Sequence, residues 1–149
     1  MPQPSKGDTV TKPKLESVLG LVPMFRGLSK RQLKNLAGLC EVGDFMADHS
    51  IVRQGEPGDA FYVVLTGQAK ITAGRKFLGR VLPGDHFGEI AVLDGGPRSA
   101  TVTSETPMTL LILRRENFLR ALRDDPELAA HMMSELAAMI RRLSSSQTQ

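Results

Sequence analysis

Phe87-Gly88-Glu89-Ile90-Ala91-Val92-Leu93-Asp94-Gly95-Gly96-Pro97-Arg98-Ser99-Ala100-Thr101-Val102 sets one carboxylate, Glu89, and one guanidinium, Arg98, on either side of a short apolar turn. A β-patterned run, Ser99 to Ser104, follows. Glycine at 88 has no Cβ, so backbone there can approach a ligand closely, and the amides near Gly88 to Ala91 are placed to point at an anion from an exposed loop. Arg98 offers a planar fork of donors that matches two phosphate oxygens, whereas Glu89 is an acceptor suited to two vicinal hydroxyls. Pro97 fixes the backbone just before Arg98, and the small Ser99 and Ala100 leave room beside the charge for a compact ligand. A phosphate cage next to a sugar acceptor is the chemistry of a nucleotide site. The opposing reading is that Glu89 and Arg98 only pair with each other across the turn, a surface ion pair contributing ~0–1 kcal/mol.

Upstream of this stretch, from Glu41, Gly or Pro recurs every few residues: Gly43, Gly55, Pro57, Gly58, Gly67, Gly74, Gly79, Pro83, Gly84. Short strands joined by tight turns follow, an antiparallel barrel or jelly roll. Ile51 to Tyr62 reads as strand, turn, strand. Phe61-Tyr62-Val63-Val64-Leu65 is a buried strand, Gln68 to Ala73 alternates, Ala73-Gly74-Arg75 turns a hairpin, and Met108 to Leu113 closes the sheet. Helical spacing marks both ends of the chain. Leu15, Val18, Leu19 and Val22 form a stripe closed by Pro23, and Ser29 caps a second helix carrying Leu33, Leu36, Ala37 and Cys40. Glu116 to Arg123 carries Phe118, Leu119 and Leu122, and Asp125 caps a last helix with Pro126 at its first position. Leu128, Met132, Leu136 and Ile140 stripe that helix, widened by Met133, Ala137 and Leu143, with Arg141 and Arg142 at its C-terminal end. The expected fold is α+β, mainly β: an antiparallel β-roll or jelly-roll barrel flanked by N-terminal and C-terminal helices. Residues 1–13 are expected to be a flexible arm and 144–149 a polar tail. Between them, 14–143 form one domain: helices over 15–40, roll over 41–113, helices over 114–143.

A chain of 149 residues with 41% hydrophobic composition suits a single core. The net charge of +3, from 19 basic against 16 acidic residues, is mild, and Lys6, Lys12, Lys14 and Arg26 lie before the second helix. With neither a concentrated basic face nor a reading element, direct nucleic-acid binding is not expected. Cys40 is the lone cysteine, in an apolar helical context; it reads as core, and its inability to form an internal disulfide fits a cytoplasmic protein. No apolar run approaches ~20 residues and the N-terminus has no apolar h-region, so neither a membrane span nor a signal peptide is expected. His49, His86 and His131 are far apart, which leaves a cupin-like metal site unsupported. Asp8, Asp44 and Asp48 read as turn or cap residues. No nucleophilic triad, phosphate-loop motif or Gly-x-Gly-x-x-Gly fingerprint occurs. The expectation is binding without turnover: not an enzyme, no metal, no cofactor.

Phe87-Gly88-Glu89-Ile90-Ala91 followed by Pro97-Arg98-Ser99-Ala100-Thr101-Val102 resembles the phosphate-binding cassette of the cyclic nucleotide-binding domain family, of the cAMP receptor and regulatory-subunit type. The resemblance covers roughly Leu15 to Leu143. It implies that Glu89 binds the ribose 2′-hydroxyl and Arg98 the cyclic phosphate. The amides of Gly88, Ala91 and Ser99 and the Ser99 hydroxyl would complete the cage, with Ile90 and Ala100 beside them. Val22-Pro23-Met24-Phe25-Arg26-Gly27-Leu28-Ser29 resembles the N-terminal helical segment that moves when such proteins bind ligand. The family's final helix acts as a lid over the base, for which Met139, as an apolar contact, and Arg142, as a stacked cation, are the candidates; the competing reading of the Met cluster is ordinary core or dimer contact. The implied ligand is cAMP rather than cGMP, because cGMP-selective relatives tend to carry threonine at the Ser99 position. The implied role is a bacterial regulatory module, stand-alone or a fragment, that signals by helix rearrangement to an effector protein or a missing effector domain, with the terminal helices as a homodimer surface. The alternatives are a non-binding docking scaffold and a cupin-like metal enzyme.

Overall fold

The structure, a computed structural model, describes the backbone of residues 12–147 and the side chains of residues 15–88 and 92–145. Residues 1–11 of the predicted N-terminal arm lie outside the described residues, but its last two residues, Lys12 and Pro13, are helical rather than an arm, because the first helix starts before the Leu15 stripe. The chain opens with helix α1 (Lys12–Leu21), a 3-10 turn (Pro23–Phe25) and helix α2 (Lys30–Leu39). Leu15, Leu19 and Val22 bury the predicted stripe, and Pro23 occupies the first position of the turn, where an absent amide costs no hydrogen bond. Ser29 caps α2 as a reciprocal box: its hydroxyl accepts from the Gln32 amide at 3.1 Å, and Gln32 Oε1 accepts from the Ser29 amide at 2.9 Å.

Among the described residues, eight strands then form two four-stranded sheets, paired antiparallel throughout. One runs in the order β1 (Glu41–Phe45), β8 (Met108–Arg114), β3 (Ala60–Thr66), β6 (His86–Phe87); the other β2 (Ser50–Val52), β7 (Thr101–Ser104), β4 (Ala69–Ala73), β5 (Lys76–Val81). Strands β3 and β8 read as continuous apolar runs because both their faces are covered. Side chains alternate across a strand, so Phe61, Val63, Leu111 and Leu113 join the helices in one core, while Ala60, Tyr62, Val64, Leu110 and Ile112 fill the interior of the roll. Phe25 stands edge-on to Phe61 at 5.8 Å and to Phe118 at 6.3 Å, and these three rings join the terminal helices to the sheet.

Helix α3 (Glu89–Asp94) occupies the segment that the sequence presented as a loop, and strand β7 begins two residues after Ser99. Helix α4 (Arg115–Asp124) leads to α5 (Pro126–Gln147), whose N-terminal amides at Glu127 and Leu128 donate to Asp125 Oδ1 at 3.1 and 3.2 Å. Helix α5 extends past Leu143 through the start of the expected polar tail, so Arg141 and Arg142 lie before its last turn rather than in it. Asp44 sits inside β1, not in a turn, and accepts from the Thr109 hydroxyl at 2.9 Å; Asp48 is a turn residue with φ 64°, and Asp8 lies outside the described residues. Cys40 is half-buried rather than core, its thiol donating to the Leu36 carbonyl at 3.2 Å, and burial together with Glu41 pushes that thiol up to about 12. Among the described residues no helix is long and apolar enough to cross a membrane.

Candidate functional site

The backbone around Arg98 is clamped by a second segment of chain. The Gly55 amide donates to the Arg98 carbonyl, the Arg98 amide to the Glu56 carbonyl and the Gly58 amide to the Gly96 carbonyl, each at 2.8 Å, and Pro57 and Pro97 face each other across this short antiparallel ribbon. Two prolines at one bridge remove amides that would otherwise seek acceptors and hold both φ angles. Arg98 therefore leaves a fixed backbone, and its side chain turns inward to only 6% exposure.

Inside, Nη2 donates to the Ala60 carbonyl at 2.8 Å and lies 3.3 Å from Asp59 Oδ1. The Asp59 side chain is 73% exposed, so water weakens its compensation of the buried cation. The other terminal nitrogen, Nη1, is buried with no hydrogen-bond partner among the described residues. A buried donor of a charged group left open is costly, and an anion satisfies it. Gly88 lies against the same nitrogen: with φ at +91°, a Cβ built there would stand 2.6 Å from Nη1 and 2.9 Å from the Ala60 carbonyl oxygen. Residue 88 is glycine for its backbone conformation and for its closeness to the guanidinium.

The two residues open onto a cavity of about 400 Å³. Gly88, Arg98 and Ser99 form its polar end with Asp94, whose carboxylate accepts from the Gly96 amide at 2.7 Å; Ala100 lies beside them, and Val52, Ile71, Phe87 and Val102 form its apolar wall. An apolar slot with one cationic end suits a ligand that is part flat ring and part anion. A larger cavity of about 670 Å³ lies between α2 and the α4–α5 junction. Its buried polar side chain, Gln32, is already bonded to Ser29 and, at 3.2 Å, to Asp125.

Four of the sequence-predicted residues, Gly88, Arg98, Ser99 and Ala100, thus meet around one cavity. Glu89, Ile90 and Ala91 lie at the start of α3, and their side chains are outside the described residues. Neither Met139 nor Arg142 lines the cavity; Met139 is half-buried and Arg142 exposed, both in the second half of α5. Sequence reading missed Asp59, the Ala60 carbonyl and Tyr62, whose ring centroid lies 5.8 Å from Arg98 Cζ. Burial is the main cause that raises the Tyr62 phenol above its ordinary value, with Asp59 adding and Arg98 opposing. All three belong to the turn and strand 36 to 39 positions before Arg98 and carry no local signal of that contact.

The model of the cyclic nucleotide-binding domain matches residues 43–125, which takes in the roll, the cassette and α4. The chain belongs to the cyclic nucleotide-binding domain family. It is 29% identical over 133 residues to a CRP-like cAMP-activated global transcriptional regulator of Mycobacterium tuberculosis, an overlap of 86% of this chain and 59% of that protein. The chain thus spans 59% of the length of the curated relative it matches. Among solved structures, the N-terminal domain of a transcriptional regulator from Streptomyces coelicolor superposes with a TM-score of 0.81 at 28% identity, covering 87% of this chain and 94% of that one. The regulatory domain of Toxoplasma gondii PKA, solved with cAMP, superposes with a TM-score of 0.67 at 28% identity, covering 83% of this chain and 50% of that one. The antiparallel roll with helices at both ends is the fold these members of the family share with it.

Proposed function

We propose that this domain is a regulatory module that binds cAMP in preference to cGMP and converts occupancy into movement of its terminal helices. The observation that carries the reading is the open, buried Nη1 of Arg98 against Gly88 at the polar end of the cavity. In this reading Arg98 and the amides of Gly88, Ala91 and Ser99, with the Ser99 hydroxyl, hold the cyclic phosphate. Glu89 takes the ribose 2′-hydroxyl, Ile90 and Ala100 pack beside it, and the base lies along the apolar wall. The relatives named above support the ligand: one is called cAMP-activated and another was solved with cAMP. The preference over cGMP rests on serine at 99.

The module binds and does not turn over; it needs no cofactor besides its ligand and acts in the cytoplasm. Its output goes to an effector, a separate protein or a segment of a longer chain, rather than to nucleic acid or membrane through these residues. Movement of α5 brings Met139 and Arg142 over the base, and the terminal helices provide a homodimer contact. Ligand shifts such a switch only by its difference in affinity for the two arrangements.

Calorimetric titration of nucleotide-free protein with cAMP, cGMP and 5′-AMP tests the reading. Saturable micromolar or tighter binding of cAMP, weaker binding of cGMP and little of 5′-AMP are expected. A folded, empty protein that binds none of the three overturns it.

A further inference from the structure

Tyr62 is buried and absent from the cavity lining among the described residues, yet it touches both ends of the site. Its ring lies under the Arg98 guanidinium, centroid 5.8 Å from Cζ. On the other side it stacks on Phe87 at 4.9 Å with the planes 15° apart. Tyr62 and Phe87 are register partners across β3 and β6, so their side chains leave the same face of the sheet. Phe87 immediately precedes Gly88, whose missing Cβ makes room for Arg98 Nη1. The stack therefore fixes the guanidinium against the glycine it must approach.

A stack of this kind answers a need that the polar contacts of Arg98 leave open. The Ala60 carbonyl and Asp59 both engage Nη2, so no described hydrogen bond orients the Nη1 edge. Rotation about the Nη2 contacts would swing Nη1 away from Gly88. An aromatic face attracts a cation and prefers a guanidinium lying near it, and the attraction strengthens where water is excluded. Tyr62 is itself held, because sliding its ring would break the overlap with Phe87.

We infer that Tyr62 is a positioning residue for the anion site: resting on Phe87, its ring holds Arg98 with Nη1 turned toward the ligand phosphate. This rests on the cAMP reading above. The aromatic ring, not the hydroxyl, does the positioning, so Tyr62→Phe is neutral and Tyr62→Leu is not.

A double-mutant cycle measured by calorimetry with cAMP separates positioning from packing. Tyr62→Phe is expected to bind within about twofold of wild type and Tyr62→Leu about tenfold more weakly, with the thermal midpoint of the ligand-free variant confirming that it is folded. In an Arg98→Gln background, titrated at millimolar cAMP, Tyr62→Leu is expected to cost less than about twofold, because the group it orients is gone. Equal losses in the two backgrounds make Tyr62 a packing residue and overturn the inference alone, as does full affinity of Tyr62→Leu. If Tyr62→Leu does not fold, Tyr62→Met, which fills more of the ring's volume, is carried through the same cycle. Wild-type protein that fails to bind cAMP overturns the functional reading, and the inference falls with it.

Discussion

Gly88 and Arg98 do not vary independently, because any Cβ at 88 occupies the space beside the guanidinium. Gly88→Ala forces an L-residue to φ near +91° and drives Nη1 away from its place, so the substitution is expected to destabilise the fold by ~1–3 kcal/mol. Chemical denaturation reads the first effect, and calorimetry is expected to read a loss of cAMP affinity of at least about tenfold. Arg98→Ala removes the charge-assisted contact itself and is expected to cost ~2–5 kcal/mol of cAMP binding; unchanged affinity in a folded variant counts against the assignment. Glu89→Ala is expected to weaken cAMP while weakening 2′-deoxy-cAMP much less, which titrating both ligands checks. The sequence displays these three residues openly, since they fall within eleven positions of one another and each brings a distinct chemistry. Asp59 and Tyr62 are illegible there, because what gives them their part is a chain reversal that lays β3 under the cassette.

At the scale of elements, capping residues were readable and end points were not. Ser29 and Asp125 are caps both by sequence and by geometry, since a side chain that bonds an amide two or three residues on needs nothing distant. Helix α3 escaped notice because six residues flanked by glycines carry too short a period, and α5 outran its expected end because the polar Ser144-Ser145-Ser146 run is permissive rather than breaking. The Asp125 cap has a pH signature. Bonds from the Leu128 amide first, then from Gln32 and the Glu127 amide, hold its carboxyl below its ordinary 3.8. The folded state therefore favours the carboxylate. The stabilisation is fully present above the ordinary value and is lost as pH falls through the lower folded one. Asp125→Ala is expected to lower the thermal midpoint by a constant margin between neutral pH and about 5, and the margin is expected to shrink below about 4. A margin that grows on acidification would assign the effect to some other group.

For the whole molecule, β3 is legible in the sequence as a buried strand and β8 as the closing one, but which of their residues face the helices depends on the sheet order. The stripe on α5 is legible too, as apolar residues at helical spacing. In the structure Leu128 and Met132 are buried near the Pro23–Phe25 turn, whereas Ile140 is 62% and Leu143 59% exposed. The second half of α5 thus presents apolar side chains to solvent, as a helix that closes on a ligand or on a second copy would. In the proposed reading that surface joins two modules. Ile140→Glu combined with Leu143→Glu changes residues that already face water, so the isolated fold is expected to keep its stability to within ~0.5 kcal/mol per site. Placed at a homodimer contact, the same charges face their own symmetry copies and oppose association. Sedimentation velocity is expected to show wild-type protein moving from monomer to dimer as concentration rises and the double variant staying monomeric. The same series repeated with saturating cAMP reads the coupling: if occupancy moves α5, the dimerisation constant shifts, and by reciprocity cAMP binds the dimer and the monomer with affinities differing by the same factor. Wild-type protein that remains monomeric at all concentrations, with and without cAMP, would leave the exposed stripe to the lid alone.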